Sequence, residues 1–109
     1  MSIEGFPDGL WRRPLHTNES NKSDASILKF EKGVVEPKHF HTSAGHSVFI
    51  LKGVLNVGGA IVTAGHFIYT PKGVVHGPNV ALQETEILLW SDGPLDLYFV
   101  EETKKQQLR

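Results

Sequence analysis

The chain contains no cysteine, which removes the thiolate nucleophile, the cysteine zinc site, the iron–sulfur cluster and the disulfide from its chemistry. Any metal must rest on nitrogen and oxygen. No stretch approaches the roughly 18 consecutive apolar residues of a membrane-spanning helix. The opening MSIEGFPDGL lacks a basic flank followed by an apolar run, so the expectation is a soluble, cytoplasmic protein with no membrane partner. Charge of one sign is missing too. Eleven Lys and Arg stand against twelve Asp and Glu, a formal net charge of -1, without the long-range attraction for phosphate that nucleic-acid binders use. Nucleic acid is therefore not an expected partner.

What is present suits one small β-rich domain. The 109 residues leave room for one core, and a chain of this size buries about 65% of its unfolded surface, enough to fold without staples. Nine of the eleven glycines and four of the six prolines cut the middle of the chain into short segments rich in Val, Ile, Leu, Phe, Tyr and Trp, and no helix of three turns fits between them. The pattern predicts strands over 26–32, 38–41, 46–52, 54–57, 60–63, 66–70, 85–91 and 95–101. In the first of these, Leu28 and Phe30 alternate with Lys29 and Glu31, as in a sheet wetted on one face. Seven or eight such strands in so short a chain imply two packed sheets or a closed barrel. The polar run TNESNKSD reads as a loop that separates an N-terminal arm from a body over 25–102, arm and loop together covering 1–24, and 103–109 reads as a solvated tail.

Six histidines are many for this length, and four of them fall in two short windows. His39 and His41 in PKHFHTSAGH are two apart, so on one strand their imidazoles share a face about 6–7 Å apart. His46 follows the reversal at 42–45 and returns to the same neighbourhood. His76, in TPKGVVHGPN, joins them only if a closing sheet brings it there. Imidazole suits zinc, copper, iron and nickel, whereas magnesium and calcium prefer oxygen. The competing reading for any single ring is a half-buried histidine bonded to a backbone carbonyl. That reading is the expectation for His66, in a turn after Gly65, and for His16, in the arm.

Alternation from the histidines sends Phe40 outward and turns Val48 and Ile50 inward, giving an apolar pocket. Tyr69, Trp90 and Phe99 are candidates to line it or to be plain core. Arg12 and Arg13 read as solvating the arm, with pairing to an anionic substrate as the alternative. The run Glu101, Glu102, Lys104, Lys105 reads as a wetted end.

Gly33, His39, His41, His46 and Gly53 spell G-x5-H-x-H-x4-H-x6-G, and Gly65, Pro71, Gly73, His76 and Asn79 spell G-x5-P-x-G-x2-H-x2-N. Together they resemble the two-part signature of the cupins, over nearly half the chain. The resemblance implies an all-β, double-stranded β-helix (jelly-roll barrel) with a metal inside, and His39, His41 and His76 as ligands. Two positions depart from the pattern. The usual glutamate is His46 here, and the terminal asparagine arrives one residue early.

With His46 as fourth ligand, the expected centre is His39, His41, His46 and His76 around one divalent transition metal, iron first, with Zn, Ni, Mn or Cu compatible. Four neutral imidazoles leave the ion its full charge and place no carboxylate base beside it, which favours a small anionic or enolisable ligand. A histidine-only set resembles the branch that includes acetylacetone-cleaving and dihydroxyacetophenone dioxygenases, and GLWRRPLH resembles the lead-in of that branch. The resemblance implies a non-haem Fe(II) dioxygenase that cleaves a C–C bond in a β-diketone or hydroxyketone. The alternatives are a regulatory module binding a metal or small anion, and an isomerase of small sugars or keto acids. Open strand edges, and family members that pair through them, imply a homodimer.

Overall fold

The computed structural model of the protein describes residues 6–100. Among the described residues all regular structure is extended. The strands are β1 (Leu10–Thr17), β2 (Asp24–Phe30), β3 (Val35–Glu36), β4 (His39–Phe40), β5 (His46–Lys52), β6 (Val54–Val57), β7 (Ala60–Thr63), β8 (Phe67–Thr70), β9 (Asn79–Ala81), β10 (Thr85–Ser91) and β11 (Tyr98–Phe99). No helix among the described residues is long and apolar enough to cross a membrane. A five-stranded antiparallel sheet runs β1-β2-β10-β5-β8, a four-stranded sheet β3-β9-β6-β7, and a two-stranded ribbon β11-β4.

The core forms where the period-two pattern of one sheet meets that of the other. In β2 and β10 every second residue is buried, Leu28 and Phe30 on one strand and Ile87 and Leu89 on the next. They meet Ile50 of β5 and Leu10 of β1, and across the interior Leu55, Val62 and Ala81 of the four-stranded sheet. Full burial of such side chains stabilises the fold by about 1.5–3 kcal/mol each. The corner at which the chain passes from β5 in the five-stranded sheet to β6 in the four-stranded sheet turns on Gly53, whose φ is +98°. A Cβ there would also stand 2.4 Å from the Glu84 carbonyl oxygen, so glycine is required twice over.

The residues read as an N-terminal arm include a strand of the main sheet. β1 pairs with β2 from Leu10↔Phe30 to Thr17↔Asp24, with a register shift between Pro14 and His16. Pro14 hid the strand, yet an edge strand at a bulge is where a missing N–H is tolerated. The polar run is the connection from β1 to β2, folded on Asn18, whose Oδ1 accepts from the Ser20 amide at 2.8 Å and the Asn21 amide at 3.3 Å. The strands expected over 38–41 and 95–101 shorten to His39–Phe40 and Tyr98–Phe99, while β3 and β9 were not foreseen. The charged run from Glu101 and the tail at 103–109 lie outside the described residues.

Candidate metal centre

The closure that the spacing left open is made by the backbone. His39 and His76 exchange both main-chain hydrogen bonds at 2.9 Å, an isolated antiparallel bridge. Their imidazoles therefore start from a directly paired position. Their ring centroids are 4.0 Å apart, and His41 lies 5.1 Å from His39 and 5.0 Å from His76. One ring nitrogen from each of the three lies within 4.8 Å of the others. Bonds of about 2.1 Å to a single ion set donors roughly 3–4 Å apart, so the three rings stand close to a ligating arrangement.

Hydrogen bonds settle which nitrogen faces the centre. Nδ1 of His39 lies 2.8 Å from the Pro37 carbonyl, Nδ1 of His76 lies 3.2 Å from that of Val74, and Nδ1 of His41 meets that of Asp96. A carbonyl only accepts, so each Nδ1 carries the proton and each Nε2 keeps its lone pair for a metal. Burial pushes the pKa values of His39 and His76 below the ordinary histidine range. His41 falls to about 4, chiefly through burial, and the charges of His39 and His76 add to the effect. All three are neutral at pH 7.

His46, at the start of β5, stacks its ring on His41 with centroids 3.6 Å apart and planes at 27°. Burial first, then the charges of His41 and His76, lower its pKa to about 3. Its Nε2 is buried without a hydrogen-bond partner. His46 is not among the mutually close donors, which are those of His39, His41 and His76; these three oriented, neutral rings fit a divalent transition metal, and the orphaned nitrogen of His46 stands beside them.

The four histidines open onto a cavity of about 430 Å³ whose remaining wall is largely apolar, Val48, Ile68 and Leu89 among it. Val48 and Phe99 line it, and Ile50 is fully buried beneath. Tyr69 and Trp90 do not line it. Both are exposed on the outer face of the five-stranded sheet, where the Tyr69 hydroxyl donates to Asp92 at 3.1 Å. Phe40 faces away and stacks on Tyr98 at 5.6 Å. His66 is exposed and caps its own turn, accepting from the Thr63 amide at 2.9 Å, and His16 is exposed on β1. Arg12 departs from the expected solvation: it lines the cavity and pairs with Asp24 at 2.9 Å, while Arg13 is exposed.

Three residues of the site were not singled out from the sequence for what they do here. Asp96 ties the turn after His41 to the chain before β11, accepting from the Thr42 amide at 3.1 Å and the Ser43 hydroxyl at 2.9 Å, while its carbonyl orients His41. Glu36 and Asn79 stand opposite each other on β3 and β9. Asn79 Nδ2 donates to Glu36 Oε1 at 2.8 Å, and Glu36 Oε2 lies 3.7 Å from His39 Nε2. Burial pushes the Glu36 carboxyl up to about 7, against the opposing pull of the Asn79 bond and the His76 charge. A carboxyl thus stands beside the rings after all, supplied by a different strand from the one where the signature places it.

The profile of the family described as ChrR cupin-like domain matches residues 2–96. No curated protein matches the chain. Among solved structures, an acetylacetone dioxygenase from Acinetobacter johnsonii superposes with a TM-score of 0.77 at 21% identity, over 94% of this chain and 71% of that one. An RmlC-like cupin from Shewanella frigidimarina gives 0.71 at 26% identity, over 86% and 84%. KdgF from Halomonas sp. gives 0.68 at 24% identity, over 78% and 80%. Two antiparallel sheets closed by a histidine bridge, and a signature shared from Gly33 to Asn79, have the same explanation: the chain is a member of the ChrR cupin-like family and carries the all-β jelly roll of the cupins.

Proposed function

We propose that the protein is a metal-dependent dioxygenase that cleaves a C–C bond in a small, enolisable, chelating ketone of the β-diketone or hydroxyketone type. The observation that carries this reading is the set of neutral imidazoles, three of them with Nδ1 tied to backbone carbonyls, opening onto an apolar cavity of about 430 Å³. His39, His41 and His76 hold the metal through Nε2, and His46, with its unpartnered Nε2, is the fourth ligand. A bound Fe(II) supplies Lewis acidity toward a ketone oxygen and redox access to dioxygen; Zn, Ni, Mn or Cu would use the same nitrogens.

The chain does the remaining work by shape and dielectric. Val48, Ile68 and Leu89 exclude water and accept alkyl flanks, so an enolate entering the pocket meets the ion's charge with little screening. The carbonyls of Pro37, Val74 and Asp96 hold the rings in one tautomer, which spares a reorganisation cost when substrate binds. The fold likeness to an acetylacetone dioxygenase is consistent with this chemistry.

The test is oxygen consumption by Fe(II)-loaded protein with a panel of β-diketones and hydroxyketones, alongside metal analysis of protein purified without added salts. Turnover by the wild type that His76→Ala abolishes is the expected result. Consumption no greater than that of His76→Ala overturns the oxygenase reading and leaves binding or isomerisation. The same reading places the protein in the cytoplasm as a homodimer. Support for pairing comes from β1 and β8, the outer strands of the five-stranded sheet, and from the row of half-buried Leu88 with exposed Phe49 and Phe67 on its outer face. Light scattering that returns a monomer mass would refute the dimer.

A further inference from the structure

We infer that Glu36 is a ligand of this metal centre, so that the carboxylate absent from position 46 reaches the ion from β3 instead. The inference rests on the metal reading above and goes beyond it, because a carboxylate changes the charge of the centre and with it the substrate.

The first support is a clash of like partners. His39 Nδ1 donates to the Pro37 carbonyl, so His39 Nε2 presents a lone pair, and 3.7 Å away stands Glu36 Oε2. Both residues are buried, at 3% and 5% exposure, where two acceptors facing each other are unfavourable unless a proton or a metal ion lies between them, and 3.7 Å is too long for a hydrogen bond but suits two ligands of one ion. Donors bonded at about 2.1 Å to one ion sit roughly 3–4 Å apart, which is the separation of this pair, while the mutually close donors are those of His39, His41 and His76.

The second support is orientation. Glu36 and Asn79 are cross-strand partners, and the Asn79 amide holds Oε1 at 2.8 Å. With one oxygen fixed, the other is aimed at the His39 nitrogen that the metal would use. The asparagine that arrives one residue early in the signature thus has a task, which is to hold a carboxylate that the usual pattern does not contain.

The consequence concerns specificity. Neutral imidazoles alone leave a divalent ion at +2, whereas one carboxylate leaves +1. A bidentate monoanion such as an enolate then neutralises the site, and dicarboxylates or other dianions are disfavoured in an apolar pocket.

The experiment titrates Co(II), as probe metal, into the full-length protein, with affinity read by chelator competition and coordination by the visible bands. Glu36→Gln keeps the Asn79 hydrogen bond and removes the charge. It should weaken Co(II) binding at least about tenfold and shift the visible bands, while the metal-free variant melts no lower than the metal-free wild type. Equal affinity with superimposable bands overturns the assignment of Glu36 and leaves the histidine centre standing. A wild type that binds no Co(II) brings down the metal reading and this inference together. Should the metal-free variant fail to fold, infrared difference spectra of the wild type decide. Co(II) loading should shift a carboxylate stretch, and an unchanged carboxylate region overturns the assignment.

Discussion

Along the inner face of the five-stranded sheet, the two ends of the same strands differ completely in character. At one end, Thr17, Asp24, Ser91, His46 and Thr70 lie side by side across five strands. Two residues further along, Leu89 and Val48 are paired, and beyond them Leu28, Ile87 and Ile50. Backbone geometry is shared, so the difference lies in the side chains alone. The polar row is held by directed bonds. Asp24 accepts from Arg12 at 2.9 Å and from Thr17 and Ser26 at 2.8 Å, and Ser91 donates to the Gly93 carbonyl at 2.7 Å. The apolar rows are held by burial without direction. One end of the sheet can therefore be tuned for a ligand while the other supplies the stability that such tuning costs.

The comparison is broken most severely at the apolar end. Ile50→Ala removes a fully buried side chain between both sheets and should cost about 2–5 kcal/mol in urea unfolding, while the protein that remains folded binds metal as the wild type does. A parallel loss of metal affinity would show that the two ends are not separable.

The opposite separation is expected at the centre. His76→Ala should weaken Co(II) binding more than about a hundredfold, or about 2.7 kcal/mol, and leave unfolding of the metal-free protein within about 1 kcal/mol of wild type. An equal loss in both measurements would mark His76 as structural.

The smallest effect concerns Asp24. Burial raises its pKa, but the bonds from Arg12, Thr17 and Ser26 outweigh burial and hold it below the ordinary value of 3.8. A carboxyl depressed by folding contributes stability that is complete above the unfolded value and is lost as pH falls through the folded one. Asp24→Asn should cost about 1–2 kcal/mol near neutrality. The difference from wild type should shrink below about pH 4, as the wild-type carboxyl protonates. A variant whose deficit is the same at pH 3 and pH 7 would place the stabilisation in packing rather than charge.

How far the fold and site were legible follows from how far apart their determinants lie. The strand ends announced themselves through local chemistry, as at Gly53, and His39 with His41 announced themselves through a two-residue spacing. Tyr69 and Trp90 were ambiguous because an aromatic side chain satisfies either face of a strand, and only their pairing with Ser47 decided that both look outward. Glu36 was hidden by arithmetic. Three residues before His39, unbroken alternation puts it on the opposite face, but β3 ends at Glu36 and β4 begins at His39, with Pro37 and Lys38 turning the chain between them. Arg12 was hidden by Pro14, which disguised the strand that carries it over the cavity.

The amino-acid sequence by itself determined an all-β chain with nitrogen and oxygen as its only metal donors, because turn residues, strand periodicity and residue inventory act within a few positions. Tertiary structure alone decided that His76 joins His39, that a carboxyl from β3 faces the same rings, and that Arg12 turns inward to Asp24. Those choices depend on which distant backbones exchange hydrogen bonds, and on breaks in alternation that reverse a side chain's direction. Neither is set by neighbours in the chain.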